Sequence, residues 1–389
     1  MVPEAASLKP ACVIVRPDYM RVAFVHDWLN GMRGGEKVLE ALLAMFPGST
    51  IYTLLHERGK VSPFIESHRI VTSWLNNVPG IYKTYRNLLP LFPAAIESLK
   101  LEKCDLIISS SHAVAKAVRS PGAPHVCYCH TPMRYIWDAE DDYRMGFGTK
   151  MVFKAVRPRL RKWDCETSRR VDAFIANSNF VRERIRRYYG RESEVVPPPI
   201  DTDYFSPSKV HVREDFYLAA GALVPYKRFD LVIRAFGAMN KHLVVAGSGP
   251  ELKRLRSIAT SNVDVKGWVS NDELRRLYRT AKALVYPARE DFGIVAVEAQ
   301  SCGCPVIAYG VGGLAETVRD GVNGVLFTEQ NEQDIIDAIA RLDKRAWIPE
   351  RVCEGVERFS REAFQGKIRK VIEELILASS HRGLAILPA

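Results

Sequence analysis

The chain contains no stretch of about 18 consecutive apolar residues, which is the length that an α-helix needs to cross a bilayer. Its first 17 residues also lack the basic start and the continuous apolar region of a secretory signal. Both absences favour a cytoplasmic protein. An apolar strand is expected directly after Met20, so we expect residues 1–19 to be either an over-extended start of the sequence or a disordered leader, outside the fold in both cases.

The eight cysteines show little sign of a disulfide or metal framework. Two pairs have the spacing C-x-C, in Cys127-Tyr-Cys129 and Cys302-Gly-Cys304, and this spacing does not make a metal site with the remaining residues. Such cysteines are typical of reduced packing residues in a cytosolic enzyme.

The length of 389 residues exceeds what one hydrophobic core usually supports, while 47% hydrophobic and 26% charged residues are ordinary for a globular protein. Apolar runs alternate with helical stretches, first up to Val196 and again from Phe216, as in parallel βα folds. The intervening V-P-P-P-I cannot continue a helix or an interior strand. We therefore predict an α/β fold with two doubly wound domains, 20–199 and 200–365, and an amphipathic helix over 366–389. The clearest predicted strands are Arg21–His26, Asp105–Ser109, His125–Tyr128, Ala173–Ala176, Ser193–Val196, Phe216–Gly221, His242–Ala246, Val263–Lys266, Ala283–Tyr286 and Pro305–Ala308.

Positive charge is concentrated in one segment. Residues 150–187 hold 12 Lys or Arg against 4 Asp or Glu, which accounts for +8 of the net charge of +10. Such a segment suits an anionic membrane surface, nucleic acid or a solvated helix face. Met, Phe, Val, Leu and Trp alternate with its cations, as in an interfacial helix, and no nucleic-acid-binding module accompanies it. We therefore expect contact with an anionic membrane surface, on the inner face of the cytoplasmic membrane, and no nucleic-acid partner.

The segment P-A-R-E-D-F-G-I-V-A-V-E-A-Q-S-C-G-C-P, residues 287–305, reads as the exit loop of a buried strand followed by a helix. Unpaired amides near Phe292, Gly293 and Ile294 can hold a diphosphate at the start of that helix. Glu290 and Glu298 would repel a bound polyanion unless each accepts hydrogen bonds from hydroxyl groups on either side of it. This arrangement indicates a sugar nucleotide. The alternative is a solvated Glu298 and a Glu290 that caps the helix.

The run E-D-F-G-I-V-A-V-E, followed by A-Q-S-C-G-C-P-V-I-A, resembles the E-x7-E signature of retaining glycosyltransferases of family 4, which have the GT-B fold. The resemblance implies two Rossmann-like domains that face each other across a cleft, with a C-terminal helix that returns to the N-terminal domain. It also implies that Glu290 binds the donor sugar and Glu298 the ribose of a nucleotide-sugar donor.

Lys227 lies in G-A-L-V-P-Y-K-R, which resembles the family's G-R-L-x-x-x-K element. Its ammonium group would supply the counter-charge for phosphate. The sequence departs from that element at Ala222, where the family usually has a diphosphate-binding arginine, and Arg228 is a candidate replacement. Because Lys227 and the helix amides can neutralise a departing diphosphate, we expect no metal and no other cofactor. The D-x-D spacing of Asp201 and Asp203 lies in the proline linker and is set aside.

Five further positions match the family's donor site by resemblance. Gly34 and Gly35 match an N-terminal glycine pair, Gly247 lies in a G-x-G-P/E turn near the nucleotide, and the residue matching Val269 contacts the base through its backbone. His130, in C-H-T-P-M-R-Y, matches a histidine near the donor sugar, where a neutral imidazole can bond a hydroxyl. His130 is preferred over His112, which has a similar context.

The elements H-D-W-L, R-G-G-E-K and H-T-P-M-R-Y are similar to those of bacterial mannosyltransferases of surface-polysaccharide assembly. The resemblance implies transfer of mannose from GDP-mannose to a lipid-linked or polysaccharide acceptor, with His130, Lys227 and Glu290 as catalytic residues. Retention would arise from front-face displacement. Two alternatives remain: a nucleotide-sugar epimerase on the same fold, and a non-catalytic sugar-nucleotide-binding subunit, which the alanine at position 222 suggests.

Overall fold

The computed structural model describes residues 20–138, 147–209 and 212–381. The predicted leader at 1–19 and the last eight residues of the predicted C-terminal helix lie outside these described residues. Two parallel sheets, of seven and six strands, form the framework of the protein, and helices cover the faces of both.

The N-terminal sheet has the strand order β3-β2-β1-β4-β5-β6-β7, and every neighbouring pair is parallel. Its elements are β1 (Val22–His26), α1 (Gly34–Leu43), β2 (Thr50–Thr53), α2 (Pro63–Glu66), β3 (Arg69–Thr72), α3 (Ile81–Thr84), α4 (Phe92–Glu97), β4 (Leu106–Ser111), β5 (His125–Cys129), α5 (Arg134–Trp137), α6 (Phe147–Thr167), β6 (Ala173–Ala176), α7 (Asn179–Tyr189) and β7 (Ser193–Val195). Every residue of β1, β4 and β5 is buried, as expected for central strands covered on both faces.

The C-terminal sheet has the order β10-β9-β8-β11-β12-β13, again with parallel neighbours only. Its elements are β8 (Tyr217–Ala220), α8 (Phe229–Ala238), β9 (Leu243–Ala246), α9 (Leu252–Ile258), β10 (Val263–Gly267), α10 (Asn271–Thr280), β11 (Leu284–Tyr286), α11 (Ile294–Ser301), β12 (Val306–Tyr309), α12 (Leu314–Thr317), β13 (Gly324–Phe327), α13 (Glu332–Asp343) and α14 (Pro349–Val352). In each sheet the strand order reverses beside its first strand, where open parallel sheets bind ligands.

The last helix, α15 (Arg361–His381), returns to the N-terminal domain. Its Phe364, Ile368 and Ile372 are buried in one core cluster with Phe24 of β1 and Leu39 of α1. The chain passes between the domains twice. The two connecting segments lie side by side, and the Ile200 amide in one donates a hydrogen bond to the Phe359 carbonyl in the other at 2.7 Å. The predicted fold class, two doubly wound domains with a returning C-terminal helix, is confirmed.

Three strands were not among the clear sequence predictions: β2, β3 and β13. Each contains only two or three consecutive apolar residues, and β3 is an edge strand with no buried residue. Short runs of this kind give little periodic signal.

Among the described helices none is both long and apolar enough to pass through a membrane. All seven cysteines in the described part of the chain are free thiols.

Candidate active site

The start of α11 forms a group of unpaired backbone donors. The amides of Phe292, Gly293 and Ile294 have no hydrogen-bond acceptor within the described residues. Gly293 adopts φ +91°, and a Cβ at this position would lie 2.5 Å from Leu314 Cδ2, so the turn requires glycine. The three amides at the helix N-terminus therefore form a site for an anion.

A second helix start, from the other domain, faces this one. A Cβ on Gly34, the first residue of α1, would lie 2.7 Å from Cδ1 of Ile294, the first residue of α11. The next residue, Gly35, leaves room in the same way for the His130 ring, whose Nε2 would be 3.7 Å from an added Cβ. The two N-termini thus meet across the cleft, with their dipoles favouring negative charge between them.

A compact polar group, which we call the Lys227 group, lies beside the starts of α1 and α11. It consists of Lys227, Tyr286 and Glu290. The Lys227 ammonium donates to the Tyr286 hydroxyl at 2.6 Å and lies 3.1 Å from Glu290 Oε1, which also accepts from that hydroxyl at 3.0 Å. Burial disfavours the ammonium, but the Glu290 carboxylate and two tyrosines outweigh it and raise the pKa of Lys227 well above its usual range. Lys227 therefore remains cationic at neutral pH.

Glu298 lies one helical turn into α11 and is almost fully buried. Its Oε1 accepts from Lys37 Nζ of α1 at 2.8 Å, and its Oε2 accepts from the Tyr278 hydroxyl at 3.4 Å. No local pattern connects Lys37 with Glu298, because 261 positions separate them. The contact joins the two domains at the predicted ribose site.

His130 follows β5 and lies at the carboxyl edge of the N-terminal sheet. Its Nε2 is 2.8 Å from the Ser110 hydroxyl, which is also 3.2 Å from Nδ1 of His26. Burial and the neighbouring His112 and His26 lower the pKa of His130 to about 3. The imidazole is therefore neutral at physiological pH, in a state that can bond a sugar hydroxyl.

His112, the competing histidine, is held by a structural carboxylate. Its Nδ1 lies 3.1 Å from the carboxylate of Asp27, which is fully buried. The same carboxylate accepts hydrogen bonds from the backbone amides of residues 112–115 at 2.6–2.9 Å. This network fixes the turn after β4. It accounts for His112 without any ligand.

The remaining predicted donor residues lie at the carboxyl edge of the C-terminal sheet. Gly247 follows β9, and its amide donates to the Gly267 carbonyl at 2.7 Å. Val269 follows β10 and packs against the core beside the exposed Trp268. The Phe292 ring packs on Phe359 at 5.6 Å between centroids, so only the backbone of Phe292 is available to a ligand.

Ala222, at the position where an arginine was expected, is exposed. Arg228 has φ +53°, the only positive value of a non-glycine residue in the part of the chain described. Its Nε lies 3.4 Å from Asp230 of α8. Whether Arg228 replaces the missing arginine stays a prediction.

Asp291 connects the domains next to the Lys227 group. It pairs with Arg134 of α5 and, at 2.7 Å, with Arg184 of α7, and its carbonyl accepts from the Ser178 hydroxyl at 2.6 Å. In the same interdomain contact, the Glu316 carboxylate accepts hydrogen bonds from the backbone amides of Asn179 and Phe180, at the start of α7, at 2.8–2.9 Å. Sequence reasoning did not identify Asp291 or Glu316 as interdomain residues.

A cavity of about 800 Å³ lies between the domains beside this contact. Both domains contribute to its wall, which contains seven arginines and three aspartates. The charged lining residues are Arg134, Asp138, Arg157, Arg161, Arg184, Arg228, Asp230, Arg254, Arg289 and Asp291.

The basic segment at 150–187 serves partly internal contacts. Arg161 and Arg184 line the cavity, and Arg170 pairs with Glu97 at 2.9 Å. On α6, Leu160 is buried and Trp163 donates to Glu97 at 3.0 Å. Contact of this segment with an anionic membrane surface stays a prediction.

In residues 20–138, 147–209 and 212–381, no three His, Cys, Asp or Glu side chains are grouped as metal ligands would be. Asp203 of the D-x-D spacing is exposed, and Asp201 accepts the Tyr204 amide at 3.0 Å.

Two family models match consecutive parts of the chain: "Glycosyltransferase Family 4" over residues 34–204 and "Glycosyl transferases group 1" over residues 201–354. Together the two matches cover residues 34–354, and both are to glycosyltransferase domains. These matches confirm the resemblance that the E-x7-E segment indicated.

Relatives with glycosyltransferase names match parts of the chain, and a solved structure is similar in fold. An uncharacterized glycosyltransferase of Methanocaldococcus jannaschii is 36% identical over 170 residues, which are 41% of this chain and 48% of the relative. A GDP-mannose-dependent alpha-(1-6)-phosphatidylinositol monomannoside mannosyltransferase of Mycobacterium tuberculosis is 30% identical over 195 residues, 42% of this chain and 51% of the relative. The chain spans about half the length of the curated relatives it matches. The HepE protein of Anabaena, solved with UDP-glucose, is similar in fold, with a TM-score of 0.68 and 18% identity over 92% of this chain and 100% of that one.

Proposed function

We propose that the protein transfers a hexose, mannose from GDP-mannose, to a lipid-linked or polysaccharide acceptor, with retention of configuration and without a required metal. The observation that supports this most is the meeting of two helix N-termini from different domains, at Gly34 and at Ile294, the latter four residues after the Glu290 that pairs with Lys227. A diphosphate is the group whose charge and length suit that place.

The donor's diphosphate would be held by the amides of Gly293 and Ile294 and by the Lys227 ammonium. These donors are already in position before the bond to the sugar breaks, which favours the negative charge that develops on the leaving group. The raised pKa of Lys227 keeps its positive charge available throughout.

The two glutamates have separate roles in this proposal. Glu298 accepts hydrogen bonds from the ribose, and Glu290 accepts them from the donor sugar. Because Glu290 is held by Lys227 at 3.1 Å and by Tyr286 at 3.0 Å, it is oriented as a hydrogen-bond acceptor rather than as a free nucleophile.

Retention then follows from front-face displacement. The bond between the anomeric carbon and the diphosphate oxygen breaks, the acceptor oxygen bonds to the same face, and its proton passes to the departing phosphate. His130, neutral because its pKa is about 3, would bond a hydroxyl of the donor sugar and orient the ring.

The relative from Mycobacterium tuberculosis, whose name specifies GDP-mannose, supports this donor. A lipid-linked acceptor would bring the protein to the inner face of the cytoplasmic membrane. The exposed cations of the basic segment, such as Arg186 and Arg187, would favour an anionic surface there.

The test is turnover by the purified protein with GDP-mannose or UDP-glucose, a membrane extract and excess chelator. We expect extract-dependent release of GDP, an α-linked product by NMR, and loss of both in Glu290→Gln. Interconversion of nucleotide sugars without an acceptor would instead indicate an epimerase. Tight donor binding with no product from any extract would indicate a non-catalytic subunit, and either result would overturn the proposal.

A further inference from the structure

The arginine-lined cavity has an excess of positive charge. Seven arginines and three aspartates line it, which leaves +4 on the same set of residues. Glu298 and Lys37, where the ribose is proposed to bind, do not line this cavity. An excess of like charge in a partly enclosed space is unfavourable unless an anion offsets it.

Some of these arginines already have carboxylate partners. Arg134 and Arg184 pair with Asp291, and Arg254 donates to Glu251 at 2.5 Å. These pairs shape the wall and contribute little net charge to a ligand.

Arg161 and Arg289 are different, because neither has a carboxylate partner within the described ranges 20–138, 147–209 and 212–381. Arg161 donates through Nε to the Ile136 carbonyl at 2.7 Å and lies over the Trp137 ring at 5.2 Å. Arg289 lies over the Phe180 ring at 5.1 Å. Aromatic rings and a carbonyl position both guanidinium groups without neutralising them.

A third cation reaches the cavity from a strained position. Arg228 has a left-handed backbone, which is strained for a non-glycine residue, and such strain concentrates at ligand sites. Its neighbour Asp230 is shared with Arg234, which lies closer, at 3.0 Å against 3.4 Å. The charge of Arg228 is therefore only partly offset.

The cavity also adjoins the reaction centre along the chain. Arg228 directly follows Lys227, and Asp291 directly follows Glu290, so one residue of each pair lines the cavity and the other belongs to the Lys227 group. A molecule in the cavity would lie next to the donor sugar, where an acceptor must be.

We propose that this cavity binds a phosphate group of the acceptor, held by Arg161 of the N-terminal domain together with Arg228 and Arg289 of the C-terminal domain. The inference rests on the proposed glycosyl transfer and names the chemical class of its acceptor. Guanidinium groups match phosphate oxygens in geometry, and three of them suit a multiply charged group better than a single carboxylate. The volume of about 800 Å³ leaves room for a sugar or chain beside the phosphate.

The test is calorimetric titration of the full chain with inorganic pyrophosphate while saturating nucleoside diphosphate occupies the donor site. We expect binding by the wild type and about tenfold weaker binding by R161Q and by R289Q. Lys162→Gln is the matched control, because Lys162 adjoins Arg161 on α6 but is 78% exposed. The affinity of this variant for pyrophosphate should stay within about twofold of the wild-type affinity. Circular dichroism melting checks that each variant is folded.

Two further ligands distinguish the sources of the anion. Tighter binding of a short-chain isoprenyl diphosphate than of pyrophosphate supports a lipid-linked phosphate, and equal binding supports a phosphate on a glycan or small acceptor. Tighter binding of glucuronate than of pyrophosphate would overturn the phosphate assignment. Absence of pyrophosphate binding, or an equal loss in K162Q, would overturn the site itself. Pyrophosphate binding is measured without turnover, so failure of the proposed transfer reaction would be recognised separately.

Discussion

Replacing Glu298 with glutamine tests the ribose contact with little change in shape. Glu298 accepts hydrogen bonds from Lys37 at 2.8 Å and from Tyr278 at 3.4 Å, and its side chain is 4% exposed. Glutamine keeps the volume but removes the negative charge. The substitution should therefore weaken hydrogen bonds from the ribose while the helix stays in place.

The size of the effect follows from these contacts. A hydrogen bond to a charged acceptor contributes about 1.5–3 kcal/mol and one to a neutral acceptor about 0.5–1.5 kcal/mol. Two ribose hydroxyls would then lose about 2 kcal/mol in total, which corresponds to roughly thirtyfold weaker binding. Lys37 is 40% exposed, so losing its partner should cost under about 1 kcal/mol of folding free energy.

The assay is calorimetric titration of wild type and E298Q with GDP and UDP. Glu354→Gln, an exposed change in the same domain, is the control and should leave both affinities within about twofold. Inorganic pyrophosphate, which has no ribose, should bind E298Q and wild type equally. Nucleotide affinity within twofold of wild type in E298Q would refute the ribose assignment.

Three further predictions concern the neighbouring residues. Glu290→Gln should lower kcat at least about 100-fold at saturating donor while nucleoside diphosphate affinity changes less than about threefold, because we propose that Glu290 contacts the sugar and not the nucleotide. A parallel loss of affinity would contradict this. Asp291→Asn should lower the unfolding free energy by about 3 kcal/mol in thermal or urea melts, because Arg184 and Arg134 lose the charge of a partner that is only 14% exposed. The exposed change Asp337→Asn should leave the unfolding free energy unchanged. Burial lowers the pKa of His130 to about 3 and of His125 to about 4 from 6.5, so the unfolded chain binds more protons and stability should rise with pH between about 3 and 6.5. His130→Gln should reduce that rise in urea melts from pH 4 to 7, and an unchanged slope would contradict the buried neutral state.

The local features of the site were predictable because their residues lie close together in sequence. Glu290, Gly293 and Glu298 fall within nine positions, and a strand, a glycine and an apolar run are enough to predict a loop and a helix start. The strands around them were predicted for the same reason, since apolar runs of four or more residues mark central strands.

Pairings between distant parts of the chain were not predictable. Lys37 meets Glu298 and Glu316 caps α7 only because the two domains dock, and no local pattern in the sequence records that docking. Arg161 illustrates the same limit. Its segment was predicted from composition to face a membrane, yet Arg161 lines the cavity between the domains, because charge counts do not show which way a side chain points.

The central claim is that a diphosphate binds between Lys227 and the amides that begin α11. The most direct measurement compares the affinities of GDP and guanosine, and of UDP and uridine, for wild type and Lys227→Met. We expect at least one nucleoside diphosphate to bind the wild type about 100-fold or more tightly than its nucleoside does. In K227M this ratio of the two affinities should fall about tenfold or more, while the affinity for the nucleoside is unchanged. An unchanged ratio in K227M would contradict the account.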